Sequence, residues 1–78
     1  MKLLLAEDDP LTRRLLQEQL QEWQYDVSTT ATGTDALKAL CQPDGPKLAI
    51  LDWQMPGLSG VEVCKQIRGL KSGTYIYI

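Results

Sequence analysis

Leu48-Ala49-Ile50-Leu51-Asp52, running on into Trp53-Gln54-Met55-Pro56-Gly57, is the stretch that decides the fold. Four consecutive apolar residues suit a strand covered on both faces, the mark of a parallel sheet. The run ends in a carboxylate and then a Pro-Gly turn, so the strand delivers Asp52 at its C-terminal end. A second stretch repeats the pattern near the N-terminus, where Leu3-Leu4-Leu5-Ala6 runs into Glu7-Asp8-Asp9. Ligands of open α/β sheets bind at the carboxyl ends of the strands. If the two strands are neighbours, four carboxylates share one small cleft. Like charges that close repel strongly unless a cation sits among them. An all-oxygen donor set points to a hard divalent ion, Mg²⁺. Each acidic stretch alone has a plainer reading. Glu7 to Asp9 would serve as solvated acids in a first helical turn, where the helix dipole favours them. Asp52 would serve as a turn residue. Two acidic strand ends in one short chain argue against both.

The rest of the chain alternates strand and helix signals. Asp9-Pro10 starts a helix, since Asp caps well and Pro suits the first helical position. Leu11, Leu15, Leu16, Leu20 and Trp23 follow at helical spacing, with Arg13, Arg14, Gln17, Glu18, Gln21 and Glu22 on the other face as a solvated surface. Tyr25 to Thr29 reads as a short second strand. Thr32-Gly33-Thr34-Asp35 resembles a capping box and opens a second helix through Leu40, which Pro43-Asp44-Gly45-Pro46 ends. The third strand is read as Leu48 to Asp52. Ser59-Gly60-Val61-Glu62 is another capping-box pattern, with Val61, Cys64 and Ile67 on the apolar side of the helix that follows. Arg68 to Gly73 reads as a turn, and Thr74-Tyr75-Ile76-Tyr77-Ile78 as a fourth strand packing in the ordinary way. The order β-α-β-α-β-α-β implies an α/β fold with a parallel sheet and right-handed crossovers.

Bulk properties bound the function classes. The 78 residues allow one small domain, and a chain of that size buries only about 60% of its unfolded surface. Eight basic and ten acidic residues give a net charge of −2, which offers no electrostatic footprint for nucleic acid or an anionic membrane. The hydrophobic share of 44% is that of a globular protein. Cys41 and Cys64 stand in no metal-ligand spacing, and the chain has no histidine. Both cysteines fall on the apolar face or at the end of a helix and are read as buried free thiols. The first apolar run is too short for a signal peptide or a membrane span, so the cytoplasm is the expected location.

The motif Asp52-Trp53-Gln54-Met55-Pro56-Gly57-Leu58-Ser59-Gly60, taken with Glu7-Asp8-Asp9, resembles the receiver domain of two-component response regulators along all 78 residues. The resemblance implies a flavodoxin-like parallel sheet of order 2-1-3-4(-5). It also implies that residues 1–78 are the N-terminal two thirds of a receiver domain, with the C-terminal part missing. The family's switch hydroxyl and its strand-end lysine would lie beyond Ile78. By resemblance, Glu7 and Asp8 bind Mg²⁺, Asp52 accepts the phosphoryl group and also touches the metal, and Gln54 offers its backbone carbonyl. Asp9 would be a helix cap. The implied partner is a sensor histidine kinase or phosphotransfer protein, since this chain supplies no histidine of its own. Trp53 is expected to pack beside the site.

Two alternatives remain at this stage. A haloacid-dehalogenase-like phosphohydrolase also uses a strand-end aspartate and Mg²⁺, but it requires a second acid two residues later, where this chain has Gln54. A truncated module without phosphotransfer activity would only self-associate. Homo-oligomerisation of residues 1–78 through the edge of the fourth strand is expected, because an unpaired apolar edge invites another chain. No direct nucleic-acid contact and no membrane contact is expected.

Overall fold

A computed structural model describes residues 1–70 and 75–77. Seven elements follow one another: β1 (Lys2–Ala6), α1 (Pro10–Glu22), β2 (Asp26–Thr30), α2 (Gly33–Leu40), β3 (Leu48–Leu51), α3 (Gly60–Leu70) and β4 (Tyr75–Tyr77). The strands form one parallel sheet in the order β2-β1-β3-β4. β1 pairs with β3 in the register Leu3↔Leu48 to Ala6↔Leu51. That register sets the residue after Ala6 beside the residue after Leu51.

Local signals explain most boundaries. Asp9 caps α1: its carboxylate accepts from the Thr12 backbone N–H at 2.9 Å and from the Thr12 hydroxyl at 2.5 Å. Thr32 caps α2 by accepting from the Asp35 N–H at 3.1 Å. Ser59 and Glu62 form a complete capping box, each backbone N–H donating to the other's side chain at 3.2 Å. α1 ends differently. Gln24 adopts φ 69°, the Tyr25 N–H reaches the Leu20 carbonyl, and the Gln24 N–H reaches that of Gln21. This is a Schellman turn with glutamine where glycine usually stands.

Several boundaries differ from the sequence reading. The second strand is Asp26–Thr30, one residue later than expected, because Tyr25 is used in the Schellman turn. The third strand stops at Leu51, so Asp52 is the first residue beyond it. Arg68 and Gly69 are helical, since α3 runs on through Leu70. The remainder of the expected turn, and the expected strand residues Thr74 and Ile78, lie outside the described residues.

Alternation along β1 and β3 divides the core. Leu4, Ala6, Ala49 and Leu51 meet Ala36 and Leu40 of α2 and Val63 and Ile67 of α3, all buried to 2% exposure or less. Leu3 and Leu5 point the other way and meet Leu20 of α1, with Val27, Leu48 and Ile50 only partly covered. Of the four leucines on α1, only Leu20 is buried; Leu11, Leu15 and Leu16 are exposed, as is Trp23 at the C-cap. Their helical spacing is real, but α1 alone does not span that face of the sheet. The cysteines also depart from expectation. Cys41 sits at the C-cap of α2 and is exposed, and Cys64 is half-buried; both are free. Cys41 follows the last buried residue of its helix, so the apolar stripe has ended before it.

Candidate metal and phosphoacceptor site

The β1–β3 register brings the two acidic strand ends together. Glu7, Asp8 and Asp52 each offer a carboxylate oxygen, and these oxygens lie within 4.8 Å of one another. Backbone bonds pin both ends. The Glu7 N–H donates to the Thr30 carbonyl of β2 at 3.1 Å, and the Asp52 N–H donates to the Ala6 carbonyl at 2.9 Å. The Arg13 guanidinium donates to the Glu7 carbonyl at 2.9 Å. Beside the carboxylates opens a cleft of about 250 Å³, floored by Leu5, Ala6, Ile50 and Leu51 and rimmed by Thr12 and Leu16.

The loop after β3 is held on the same edge. The Trp53 N–H donates to Asp52 Oδ1 at 2.8 Å, fixing the carboxylate's orientation. The Gly60 N–H, at the start of α3, donates to the Trp53 carbonyl at 3.2 Å. A Cβ at Gly60 would collide with the Asp52 carbonyl oxygen, so glycine is what lets α3 begin this close to Asp52. The Gly33 N–H of α2 donates to the Pro56 carbonyl at 3.0 Å, and a Cβ there would strike the Leu58 carbonyl. Both helices on the α2/α3 side therefore clamp the loop.

The electrostatics follow from the crowding. The Glu7 carboxyl is pushed up from 4.5 to about 7, first by partial burial, then by a hydrogen bond and charge repulsion from Asp52, and further by Asp8 and Asp9. A carboxyl holding its proton near neutral pH among other carboxylates marks a site short of positive charge. Three oxygen ligands at this spacing fit a hard divalent ion, which would relieve that repulsion. Asp9 stands apart from this cluster. Its bonds to the Thr12 side chain and backbone hold its carboxyl below the ordinary value, with Arg13 adding to the effect. It is the cap of α1, as its position before Pro10 suggests.

Glu7, Asp8 and Asp52 are thus brought together. Gln54 lies two residues past Asp52 in the clamped loop and is exposed. Trp53 is 64% exposed, so it adjoins the site without packing into it. Sequence reasoning missed Arg13. The sequence pattern groups it with Arg14 on the solvated face, yet only Arg14 is there, paired with Glu18 at 3.3 Å in the open. Arg13 is half-buried and turned to the strand end. No signal in the sequence separates these adjacent arginines.

Comparison with known proteins agrees with this geometry. The family model "Response regulator receiver domain" matches residues 3–78. The alkaline phosphatase synthesis transcriptional regulatory protein PhoP of Bacillus subtilis is 41% identical over 70 residues, 90% of this chain and 29% of that protein. The response regulator TrrA of Thermotoga maritima, solved in complex with Mg²⁺-BeF, is 41% identical, with a TM-score of 0.89 over 96% of this chain and 64% of that one. A complex of the histidine kinase ThkA with TrrA matches at 41% identity, with a TM-score of 0.86 and the same coverage. The chain spans under a third of the length of the curated relatives it matches. From the acidic strand ends, the 2-1-3-4 sheet and these matches, the chain belongs to the receiver domain family of two-component response regulators, a family of signalling domains.

Proposed function

We propose that the chain accepts a phosphoryl group on Asp52 from a phosphohistidine of a sensor histidine kinase or phosphotransfer protein. The observation that carries the reading is the convergence of Glu7, Asp8 and Asp52 at the carboxyl ends of two adjacent parallel strands. Glu7, Asp8, Asp52 and the backbone carbonyl of Gln54 would hold Mg²⁺. When bound, that ion neutralises carboxylate and phosphoryl oxygens together. The solved complex of TrrA with Mg²⁺-BeF supports the assignment.

The chain's own groups account for the transfer. Asp52 is oriented by the Trp53 N–H on one oxygen. A carboxylate oxygen of Asp52 forms a bond to phosphorus as the donor's N–P bond breaks. The electron pair stays on the imidazole nitrogen, which takes up a proton from solvent, and an acyl phosphate remains on Asp52. Water later hydrolyses that acyl phosphate. On this reading the chain catalyses only its own phosphorylation and dephosphorylation, and it works in the cytoplasm. The ThkA–TrrA complex supports the choice of a kinase as partner. The hydrolase alternative has no support: the matched family is the receiver, and Gln54 occupies the position where an acid is required.

Self-association belongs to the same proposal. Among the described residues β4 pairs with β3 alone, and Tyr75 and Tyr77 are exposed on it. An unprotected edge of that kind invites strand pairing with a second copy. Sedimentation equilibrium should show a dimer or higher assembly, and a monomer at high micromolar concentration would contradict it. Among the described residues no helix is long and apolar enough to cross a membrane.

The test of phosphoacceptance is incubation with acetyl phosphate and Mg²⁺ followed by mass mapping. Slow labelling confined to Asp52 is expected, and Asp52→Asn should abolish it. An acyl phosphate on Asp8, Asp9 or Asp44 would overturn the assignment.

A further inference from the structure

We propose that Arg13 is a positioning residue of the metal site, acting through the backbone of Glu7. The inference rests on the reading of Glu7, Asp8 and Asp52 as the ligands of a divalent cation. Glu7 is the first residue past β1, where the sheet no longer fixes the chain from both sides. Its N–H is held by the Thr30 carbonyl at 3.1 Å, and its carbonyl is held by Arg13 Nη1 at 2.9 Å. Both polar groups of this residue's backbone are thereby committed, one to a strand and one to a helix.

Arg13 is itself well anchored. Its own N–H donates to the Asp9 carbonyl at 2.9 Å, the first turn of a helix that Asp9 and Thr12 cap together. The chain from Glu7 to Arg13 is therefore a closed loop, tied at its ends by the guanidinium. Asp8 sits inside that loop. Without the tie, the segment carrying two of the three carboxylates is held only by the Glu7 N–H at one end and the Asp9 cap at the other, and the Glu7–Asp8 peptide between them loses its one side-chain restraint. A guanidinium suits the task because its charge strengthens the bond to a carbonyl and its planar fork loses little freedom on binding. The neighbouring Arg14 does none of this: its partner is Glu18 on the open helix surface.

The sign of the effect separates positioning from plain electrostatics. A positive charge near a cation site disfavours the cation, so removing it should tighten binding if charge were the whole story. If Arg13 positions the ligands, its removal should loosen binding despite the lost repulsion. The experiment is calorimetric titration of the full 78-residue chain with MgCl₂, in the wild type, Arg13→Met, Arg13→Lys and Arg14→Met. Arg13→Met is expected to weaken Mg²⁺ binding about tenfold, the low end for outer partners of metal ligands. Arg13→Lys, which keeps a charged donor, should recover part of that loss, and Arg14→Met should match the wild type. Far-ultraviolet circular dichroism of the metal-free proteins supplies the second readout and should stay unchanged. Equal or tighter binding by Arg13→Met overturns the proposal. So does loss of the fold in Arg13→Met, which would make the residue structural. Equal weakening in Arg14→Met would also overturn it, by reducing the effect to general helix charge. No Mg²⁺ binding by the wild type would instead defeat the metal-site reading on which the proposal stands.

Discussion

The two faces of the sheet share the same strands and differ in what covers them. Toward α2 and α3, Leu4, Ala6, Ala49 and Leu51 are sealed by two helices, with Leu40, Val63 and Ile67 buried against them and Leu37, Met55, Leu58 and Ile76 partly buried around the rim. Toward α1, Leu3 and Leu5 are buried, but Leu48 and Ile50 are only partly covered, and Leu11, Leu15 and Leu16 face solvent. An apolar hollow of about 270 Å³ lies open between Leu3, Leu20, Trp23, Leu48 and Tyr77. Periodicity tells which side chains share a face; coverage depends on how many helices cross that face. The carboxylate cleft lies at the edge of the open side, since Leu5, Ile50 and Leu16 line it. The loop carrying Asp52 is clamped from the closed side through Gly33 and Gly60. The cleft thus opens on one face while the loop that carries Asp52 is held from the other.

Truncating one side chain on each face should separate them most clearly. Ile67→Ala, on the closed side, should cost about 2–5 kcal/mol, enough to unfold much of so small a domain. Leu15→Ala, on the open side, should change stability by less than about 0.5 kcal/mol. Urea unfolding followed by circular dichroism reads both. Comparable losses at the two positions would show that the open face is covered in solution.

Next in size is the pH dependence of the cleft. The folded-state value of Glu7, about 7, lies above its ordinary 4.5, so the folded chain holds that proton more tightly than the unfolded one. Its contribution to metal-free stability is complete below pH 4.5 and is lost as pH rises through 7. Mg²⁺ binding requires the carboxylate, so affinity should rise between pH 6 and pH 8 with proton release on binding. Titrations in two buffers of different ionisation enthalpy would detect that release. Pairing with Asp52 is part of the cause, so Asp52→Asn should bring the Glu7 transition down.

Smaller effects test the ends of the helices. Ser59→Ala removes half of the α3 capping box and should cost about 1 kcal/mol. Gln24→Gly relieves a left-handed residue at the end of α1 and should gain up to about 1 kcal/mol, less the entropy glycine adds to the unfolded chain. Thermal unfolding reads both, and a loss of stability in Gln24→Gly would contradict the turn assignment.

Much of this was legible in the sequence. The apolar runs at Leu3–Ala6 and Leu48–Leu51 announced parallel strands, and the acids after them announced the site. The caps at Asp9, Thr32 and Ser59 were visible because each bond is local. What was not legible depends on distant partners. The Tyr25 boundary shifted because Gln24 takes a left-handed turn that its residue type does not advertise. The exposure of Leu11, Leu15 and Leu16 follows from helix coverage, which no periodicity records. Arg13 and Arg14 differ only by the direction in which the helix points them.

If Glu7, Asp8 and Asp52 form one divalent-cation site, the ion sits next to Trp53. Trp53 adjoins Asp52, so its fluorescence is the direct probe, with Trp23→Phe removing the other indole. Titration with Mg²⁺ should give a saturable change that is lost or strongly weakened in both Asp8→Asn and Asp52→Asn. A change that persists unaltered in those two variants would contradict the site.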